Sequence, residues 1–376
     1  MNRSTRTPRV LFWIILFIPL VVLLLAILTP IAVLYPVHWE QNIGSLISPF
    51  VEKKLLSWKR RSYAATSNTW QTYCTQYDED LLYRPKDGAC RFANLEFDTN
   101  VTFDSFARLD EIKQHRINIL VIGDSYAMGW GVNDTDTFAY RLEQQLNVNV
   151  VNAAVSSYGT ARQFQFAEKF HRREYDLIII QYCDNDFGEN FNFLANSISY
   201  PRPRTLFETM RSATPLKVPS LFSVSINSYI QLYEKFKAVL FQNKQVDTQN
   251  KPVVTVSTAH SISDPVPRPI NKRNWLTHND YLLRIVRKFR PQFVNPPILI
   301  TYANSHNRQF LNFPEHQTKD NIHFLAPNLT DRDYYVLDAH MNKKGHAKLA
   351  ELLAEYIALH FDLSRQVEHL ASPSTD

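Results

Sequence analysis

The chain has 376 residues, of which 45% are hydrophobic and 20% charged, and its formal net charge is +5. These values exclude an intrinsically disordered protein and are those of a chain that can bury a full core. The basic residues occur without a helix-turn-helix, zinc-finger or base-stacking motif, so we expect no nucleic acid among the partners.

An apolar segment near the N-terminus predicts a membrane anchor. Residues 10–37 contain no charged side chain, and the run 10–28 is about long enough to cross the hydrocarbon layer as a helix. The run exceeds the ~7–15 residues of a signal-peptide core and ends without an evident cleavage site, which favours an uncleaved anchor. Basic residues before it favour a cytoplasmic N-terminus and a periplasmic or extracellular body: Arg3, Arg6 and Arg9. A second basic cluster at 53–61 argues for the opposite orientation.

Residues 38–115 are polar and aromatic with weak periodicity, and we predict a stalk and an N-terminal extension that packs on the body. Within it, Cys74 and Cys90 flank a stretch that is typical of a turn. A disulfide between them would suit an oxidising compartment, and two free buried thiols are the equal alternative.

Strands and helices alternate after residue 115, which predicts an α/β fold with a parallel sheet covered by helices on both faces. The predicted strands are short apolar runs at 117–122, 148–151, 177–181, 298–302 and 321–325. The predicted helices include one capped by Thr137, one at 164–170 and a closing one at 343–359. The connection at about 187–296 is long enough to be an insertion with its own helices, at 229–240 and 275–289.

Candidate chemical groups follow three of these strands and precede the last helix. Ser125 follows the first strand, Gly159 the second and Asn185 the third, while Asp338 and His340 come just before the closing helix. Taken singly, each is explained as well by a turn or a surface loop. Because the carboxyl ends of parallel strands meet at one edge of a sheet, the fold itself would bring these residues together. A serine, a histidine, a carboxylate and oxyanion donors are the groups that acyl transfer to a serine requires.

These residues resemble the four sequence blocks of the SGNH (GDSL-like) hydrolase family, in that family's chain order and over about residues 115–360. The run Ile-Gly-Asp-Ser-Tyr-Ala-Met-Gly-Trp-Gly-Val around Ser125 is similar to membrane-anchored or exported bacterial members, as is Asp-Ala-His-Met-Asn-Lys-Lys-Gly-His from Asp338. The resemblance implies a three-layer, flavodoxin-like sheet. It also implies Ser125 as nucleophile, Asp338 and His340 as the acid-base pair, and an oxyanion hole formed by Ser125, Gly159 and Asn185.

The sequence departs from the family pattern at two positions. Cys183 stands where the third block usually has a glycine, a change that would narrow the pocket or alter the backbone of Asn185. In the last block one residue separates Asp338 from His340, where two are commoner. Neither departure removes a catalytic group.

The resemblance implies a serine ester hydrolase for acyl or acetyl esters of a cell-envelope glycan or lipid, without a metal or cofactor. We expect three aromatic side chains to line its cleft: Tyr126, Trp130 and Tyr158. An O-acyltransferase that modifies a surface polysaccharide and a non-catalytic, membrane-anchored glycan-binding protein are the alternatives. The predicted domains are an anchor at 1–37, the extension at 38–115, a hydrolase-like domain at 116–362 with its insertion, and a tail at 363–376.

Overall fold

The computed structural model describes residues 17–18, 20–21, 24, 70–94, 96–104, 107–108, 117–169, 174–196, 203–213, 272–302, 320–335 and 338–361. The chain divides into two compact units. The larger consists of Asn68–Leu216, Ala259–Tyr335 and Ala339–Asp376. The smaller consists of Met1–Ser67, Lys217–Thr258 and Val336–Asp338. Every strand and every helix named below, apart from the short N-terminal helical positions, belongs to the larger unit.

Ten strands occur in the described part of the larger unit. They are β1 Thr75–Asp78, β2 Leu82–Pro85, β3 Gly88–Ala93, β4 Asp98–Asp104, β5 Ala107–Arg108, β6 Asn118–Gly123, β7 Asn149–Asn152, β8 Leu177–Gln181, β9 Ile298–Thr301 and β10 Ile322–Leu325. The helices are α1 Trp70–Cys74, α2 Ser125–Met128, α3 Phe138–Leu146, α4 Thr160–Ala167, α5 Asp186–Asn196, α6 Arg204–Ala213, α7 Lys272–Phe289 and α8 Lys343–His360.

Within the described residues, the central sheet has eight strands in the order β10-β9-β8-β6-β7-β5-β4-β3. The first five of that order are parallel, and the last three join antiparallel. The five parallel strands confirm the strands predicted after residue 115. The sheet is larger than predicted, because β3, β4 and β5 extend it on one side by antiparallel pairing. The expectation that regular structure starts only after residue 115 is therefore wrong, and β1 pairs with β2 as well.

The sheet is covered on both faces because alternate side chains of each parallel strand point to opposite sides. One core joins β6 to α3 and α8 through Ile119, Val121, Phe138, Leu142, Leu349 and Leu353. The other joins β6 to α4 and α7 through Leu120, Ile122, Phe164, Leu282, Val286 and Phe289. The three layers that the α/β pattern predicts are therefore present.

The helix ends also follow the sequence. Thr137 caps α3, as predicted, and its hydroxyl accepts a hydrogen bond from the Tyr140 amide. The helix predicted at 275–289 lies within α7. The helix predicted at 229–240 lies outside the described residues, while α5 and α6 are additional helices after β8.

Two predictions concern the N-terminal part of the chain. Cys74 and Cys90 are joined by a disulfide, with Cα atoms 5.5 Å apart, which links the end of α1 to β3. In the part of the chain that the structure describes, no helix has the length and apolar character needed to cross a bilayer. The predicted anchor at 10–28 falls outside that part except for five helical positions: Phe17, Ile18, Leu20, Val21 and Leu24.

Candidate active site

The site is built at the carboxyl ends of β6, β7 and β8, which lie side by side in the sheet. Ser125 begins α2 directly after β6, Gly159 lies in the connection from β7 to α4, and Asn185 lies between β8 and α5. This is the edge at which parallel α/β sheets place their chemistry.

Ser125 and His340 are hydrogen-bonded although 215 positions separate them in sequence. The distance between Ser125 Oγ and His340 Nε2 is 2.7 Å. Ser125 is buried except for a small exposed fraction, and His340 is half-buried. The pair therefore has the separation that a nucleophile and its general base require.

Two aromatic rings hold the imidazole of His340. The Tyr126 ring lies 4.7 Å from it, and the Trp130 ring stacks on it at 5.3 Å with an interplanar angle of 27°. The Tyr126 hydroxyl also donates to the carbonyl of Ala339, next to the histidine. These contacts fix the position of the imidazole beside Ser125.

Asp124 precedes the serine and is fully buried. Its Oδ1 accepts a hydrogen bond from the Tyr126 amide and caps α2. Burial raises the pKa of this carboxyl to about 6, against the opposing effects of the Tyr126 amide, the His340 ring and the Asn185 side chain. Asp124 thus lies close to His340, the proposed base, and to Asn185, a proposed oxyanion donor. No sequence pattern indicated this position for Asp124.

Gly159 lies at the start of α4, where the chain approaches α5 closely. A Cβ at this position would lie only 2.7 Å from the Cβ of Glu189, so a larger residue would displace the loop. Asn185, just before α5, has an exposed side chain. Gly159 and Asn185, two of the three predicted oxyanion donors, therefore lie directly before neighbouring helices.

Asp186 connects these two helix starts. Its carboxyl accepts hydrogen bonds from Thr160 Oγ1 at 3.1 Å and from Gln163 Nε2 at 3.2 Å. Asn190 Oδ1 reinforces the contact by accepting from the Ala161 amide. Burial, together with the neighbouring Asp124 carboxylate, raises the pKa of Asp186 well above its usual range. No sequence motif assigned a role to Asp186, although it directly follows Asn185 of the third block.

Two further residues of the last two sequence blocks are Asp338 and Cys183. Asp338 is half-buried and belongs to the smaller unit, so its pairing with His340 stays a prediction. Cys183 is a buried free thiol whose sulfur donates to Asp184 Oδ1 at 3.5 Å. Burial raises the pKa of this thiol well above its usual value, which keeps it neutral.

The three aromatic residues predicted to line the cleft have different surroundings. Tyr126 and Trp130 pack on His340, and a contact of either with substrate stays a prediction. Tyr158 does not line a cleft in this structure, because its side chain is 1% exposed and its hydroxyl donates to the carbonyl of Tyr83. The guanidinium of Arg162 lies 4.2 Å from the Tyr158 ring centre. Tyr158 is therefore part of the core that supports the Gly159 loop.

Comparison with known proteins identifies the family of this chain. A family model described as GDSL-like lipase/acylhydrolase matches residues 119–353, well over half of the chain. No curated protein matches the chain. Similar solved structures include a carbohydrate esterase family 2 enzyme from Corynascus thermopiles (13% identity, 67% of this chain, 68% of that chain, TM-score 0.36). Others are a putative G-D-S-L lipolytic protein from Desulfitobacterium hafniense (12%, 64% and 99%, 0.35) and a family two carbohydrate esterase from Clostridium thermocellum with cellohexaose (13%, 68% and 68%, 0.34).

The family match spans β6 to the middle of α8 and so includes Ser125, Gly159, Asn185, Asp338 and His340. The chain belongs to the GDSL-like lipase/acylhydrolase family and is an enzyme of the esterase/acylhydrolase type.

Proposed function

We propose that the protein hydrolyses acyl or acetyl esters by a two-step mechanism through an acyl-enzyme on Ser125. The observation that carries the proposal is the 2.7 Å hydrogen bond between Ser125 Oγ and His340 Nε2. His340 removes the hydroxyl proton as the serine attacks the ester carbonyl, and it returns that proton to the leaving alcohol. Water, activated by the same histidine, then releases the acid and regenerates the serine.

The negative charge that develops on the carbonyl oxygen is stabilised by donors at the strand ends. We assign this role to the backbone amides of Ser125 and Gly159 and to the side-chain amide of Asn185. The Asp186 contacts that hold α4 to α5 support this assignment, since they fix the distance between the Gly159 and Asn185 segments. Asp338 orients His340 in this scheme, as the triad logic requires.

We place the reaction at the cell envelope, with the ester carried by a glycan or a lipid. The apolar run at 10–28 supports a single membrane anchor, and the arginines before it support a periplasmic or extracellular body. The Cys74–Cys90 disulfide supports the same side of the membrane, because disulfides persist in oxidising compartments.

The test is the hydrolysis of p-nitrophenyl acetate and butyrate by the full-length chain in detergent. We expect turnover that is lost in Ser125→Ala and in His340→Ala, and a fluorophosphonate adduct on Ser125 by mass spectrometry. Matched controls are Ser212→Ala and His360→Ala, which alter an exposed serine of α6 and an exposed histidine of α8. Full activity in Ser125→Ala would overturn the mechanism. Acyl transfer to an added sugar, without release of free acid, would identify an O-acyltransferase with the same nucleophile.

A further inference from the structure

Trp130, which stacks on His340, lies in the turn that follows α2. The residues on either side of it are glycines in the left-handed region, with φ of 84° at Gly129 and 81° at Gly131. Glycine loses more conformational freedom on folding than any other residue, so contacts from other elements help to keep this loop in place. The position of the indole against the imidazole therefore depends on what binds this loop.

Arg108, on the short strand β5, binds the loop on both sides of Trp130. Its Nη1 donates to the carbonyls of Met128 and Gly129, the second at 2.7 Å, and its Nη2 donates to the carbonyl of Val132 at 2.5 Å. Its Nε donates to Asp134 Oδ1 at 2.8 Å, and the arginine side chain is 1% exposed. These donors form the rigid, planar fork of a guanidinium, which a lysine ammonium cannot reproduce.

An aromatic cluster covers the Trp130 ring, and it comes from the same part of the chain as Arg108. The ring centres of Trp70, Phe92 and Phe97 lie 6.2, 4.9 and 6.4 Å from that of Trp130. All three side chains are buried. The indole is thus packed against this cluster while it also stacks on the imidazole of His340.

These contacts come from residues that precede the family match, which begins at residue 119. Trp70 lies in α1, Phe92 in β3 and Arg108 in β5, on the antiparallel side of the sheet. We propose that the aromatic cluster of Trp70, Phe92 and Phe97 supports the catalytic site, and that Arg108 is a positioning residue that holds Trp130 against His340. The inference rests on the proposed function, because it assigns His340 to the reaction.

The first test compares Arg108→Lys with wild type in the full-length chain. Because a misplacement of about 1 Å can cost a factor of ~100, we expect kcat for p-nitrophenyl acetate to fall about 10- to 100-fold with KM nearly unchanged. The matched control is Arg91→Lys, which alters an exposed arginine paired with Asp98 on β3 and β4. This control should keep the kcat of wild type. A folded Arg108→Lys protein with wild-type kcat would overturn the proposal.

The second test does not need turnover. In protein labelled with 5-fluorotryptophan, the six tryptophans give separate fluorine resonances, and Trp130→Phe identifies the one from Trp130. Arg108→Lys should shift or broaden that resonance, and Arg91→Lys should leave it in place; an unmoved resonance contradicts the proposal. A wild-type protein without esterase activity would overturn the proposed function, while this resonance would still decide whether Arg108 positions Trp130.

If Arg108→Lys does not fold, Phe92→Leu serves the same purpose, since it removes the aromatic ring nearest to Trp130 while keeping an apolar side chain. We expect a smaller loss of kcat and a shift of the Trp130 resonance. A folded Phe92→Leu protein with wild-type kcat and an unmoved resonance would overturn the proposal.

Discussion

Asp124 is a carboxyl that the protein buries directly before its proposed nucleophile. Burial raises its pKa to about 6, whereas an unfolded aspartate titrates near 3.9. Between about pH 4 and 6 the native protein therefore binds a proton that the unfolded chain has released. Stability rises with pH only where the unfolded state binds more protons, so this group makes the protein less stable as pH increases through that range.

The first prediction is that Asp124→Asn removes this pH dependence. The two-unit difference in pKa corresponds to about 3 kcal/mol, which the wild-type protein loses between about pH 4 and 6. The asparagine keeps an oxygen that can accept from the Tyr126 amide, so α2 stays capped. The measurement is thermal unfolding from pH 4 to 7.5, in which Asp124→Asn should gain stability over wild type as pH rises. Parallel curves would contradict the prediction, and Asp87→Asn, at an exposed position, is the control.

The second prediction concerns Asn185. Its side chain is exposed, so Asn185→Ala leaves no cavity and should change the unfolding temperature little. Loss of one oxyanion donor typically lowers turnover ~100- to 1000-fold, and we expect a decrease of that order in kcat with KM nearly unchanged. Asn192→Ala, on an exposed site of α5, is the matched control and should retain activity. Wild-type turnover in Asn185→Ala would remove the residue from the mechanism.

The hairpin of β1 and β2 supports the loop that carries Gly159. The Tyr83 hydroxyl donates to the Ser156 carbonyl at 2.7 Å, and the Tyr158 hydroxyl donates back to the Tyr83 carbonyl. Arg162 Nη1 donates to the Leu81 carbonyl at 3.2 Å. The disulfide between Cys74 and Cys90 closes the chain around this hairpin, so it restricts the same part of the unfolded chain.

The third prediction is that the double variant Cys74→Ser, Cys90→Ser loses about 3 kcal/mol of unfolding free energy, the value for closing a loop of about this length. Urea unfolding with and without dithiothreitol measures the loss. Wild type in reductant should unfold at the urea concentration of the variant, and the variant itself should not respond to reductant. A wild-type protein whose bond is reduced without any loss of stability would contradict the prediction.

The sequence predicted some of these elements far better than others, for a physical reason. The buried parallel strands β6 and β8 are nearly continuous apolar runs, which survive in sequence as a strong signal. Strand β4 has only one face buried, with Thr99, Val101 and Phe103 alternating with exposed or half-buried polar residues. Because one of the three buried side chains of β4 is a threonine, the alternation of apolar and polar residues in this strand is weak. Strand β5 has only two residues and is too short to show an alternation.

The candidate active site shows the same difference between residues in local sequence motifs and residues placed by long-range contacts. Ser125 and His340 lie in local motifs at strand and helix ends, so the topology alone brings them to one edge. Arg108 and Tyr158 act through partners about 20 to 75 positions away, Met128 to Val132 for one and Tyr83 for the other. Such contacts depend on the register of the antiparallel strands, which no local motif encodes, and so Tyr158 was wrongly expected in the cleft.

At the scale of the whole molecule, the apolar N-terminal segment and the disulfide both support the proposed location of the protein at the outer face of a membrane. The five described positions of that segment are helical, and their apolar side chains are 43–59% exposed. Apolar side chains that are exposed in this way are stable only in apolar surroundings. The run at 10–28 is long enough for a bilayer to provide those surroundings. The proposed N-terminal anchor, with the body outside, would also explain how Cys74 and Cys90 become oxidised.

The fourth prediction is that the full-length chain stays in the membrane pellet after alkaline carbonate, while a variant without residues 1–37 is released. Orientation is then read from the thiols of the pelleted protein, denatured and treated with a polyethylene-glycol maleimide. Of the three cysteines only Cys183 is a free thiol, so one addition is expected before reduction and three after it. Three additions before reduction would place the body in a reducing compartment. That result would favour the basic cluster at 53–61 over the N-terminal arginines as the determinant of topology, and it would contradict the proposed envelope substrate.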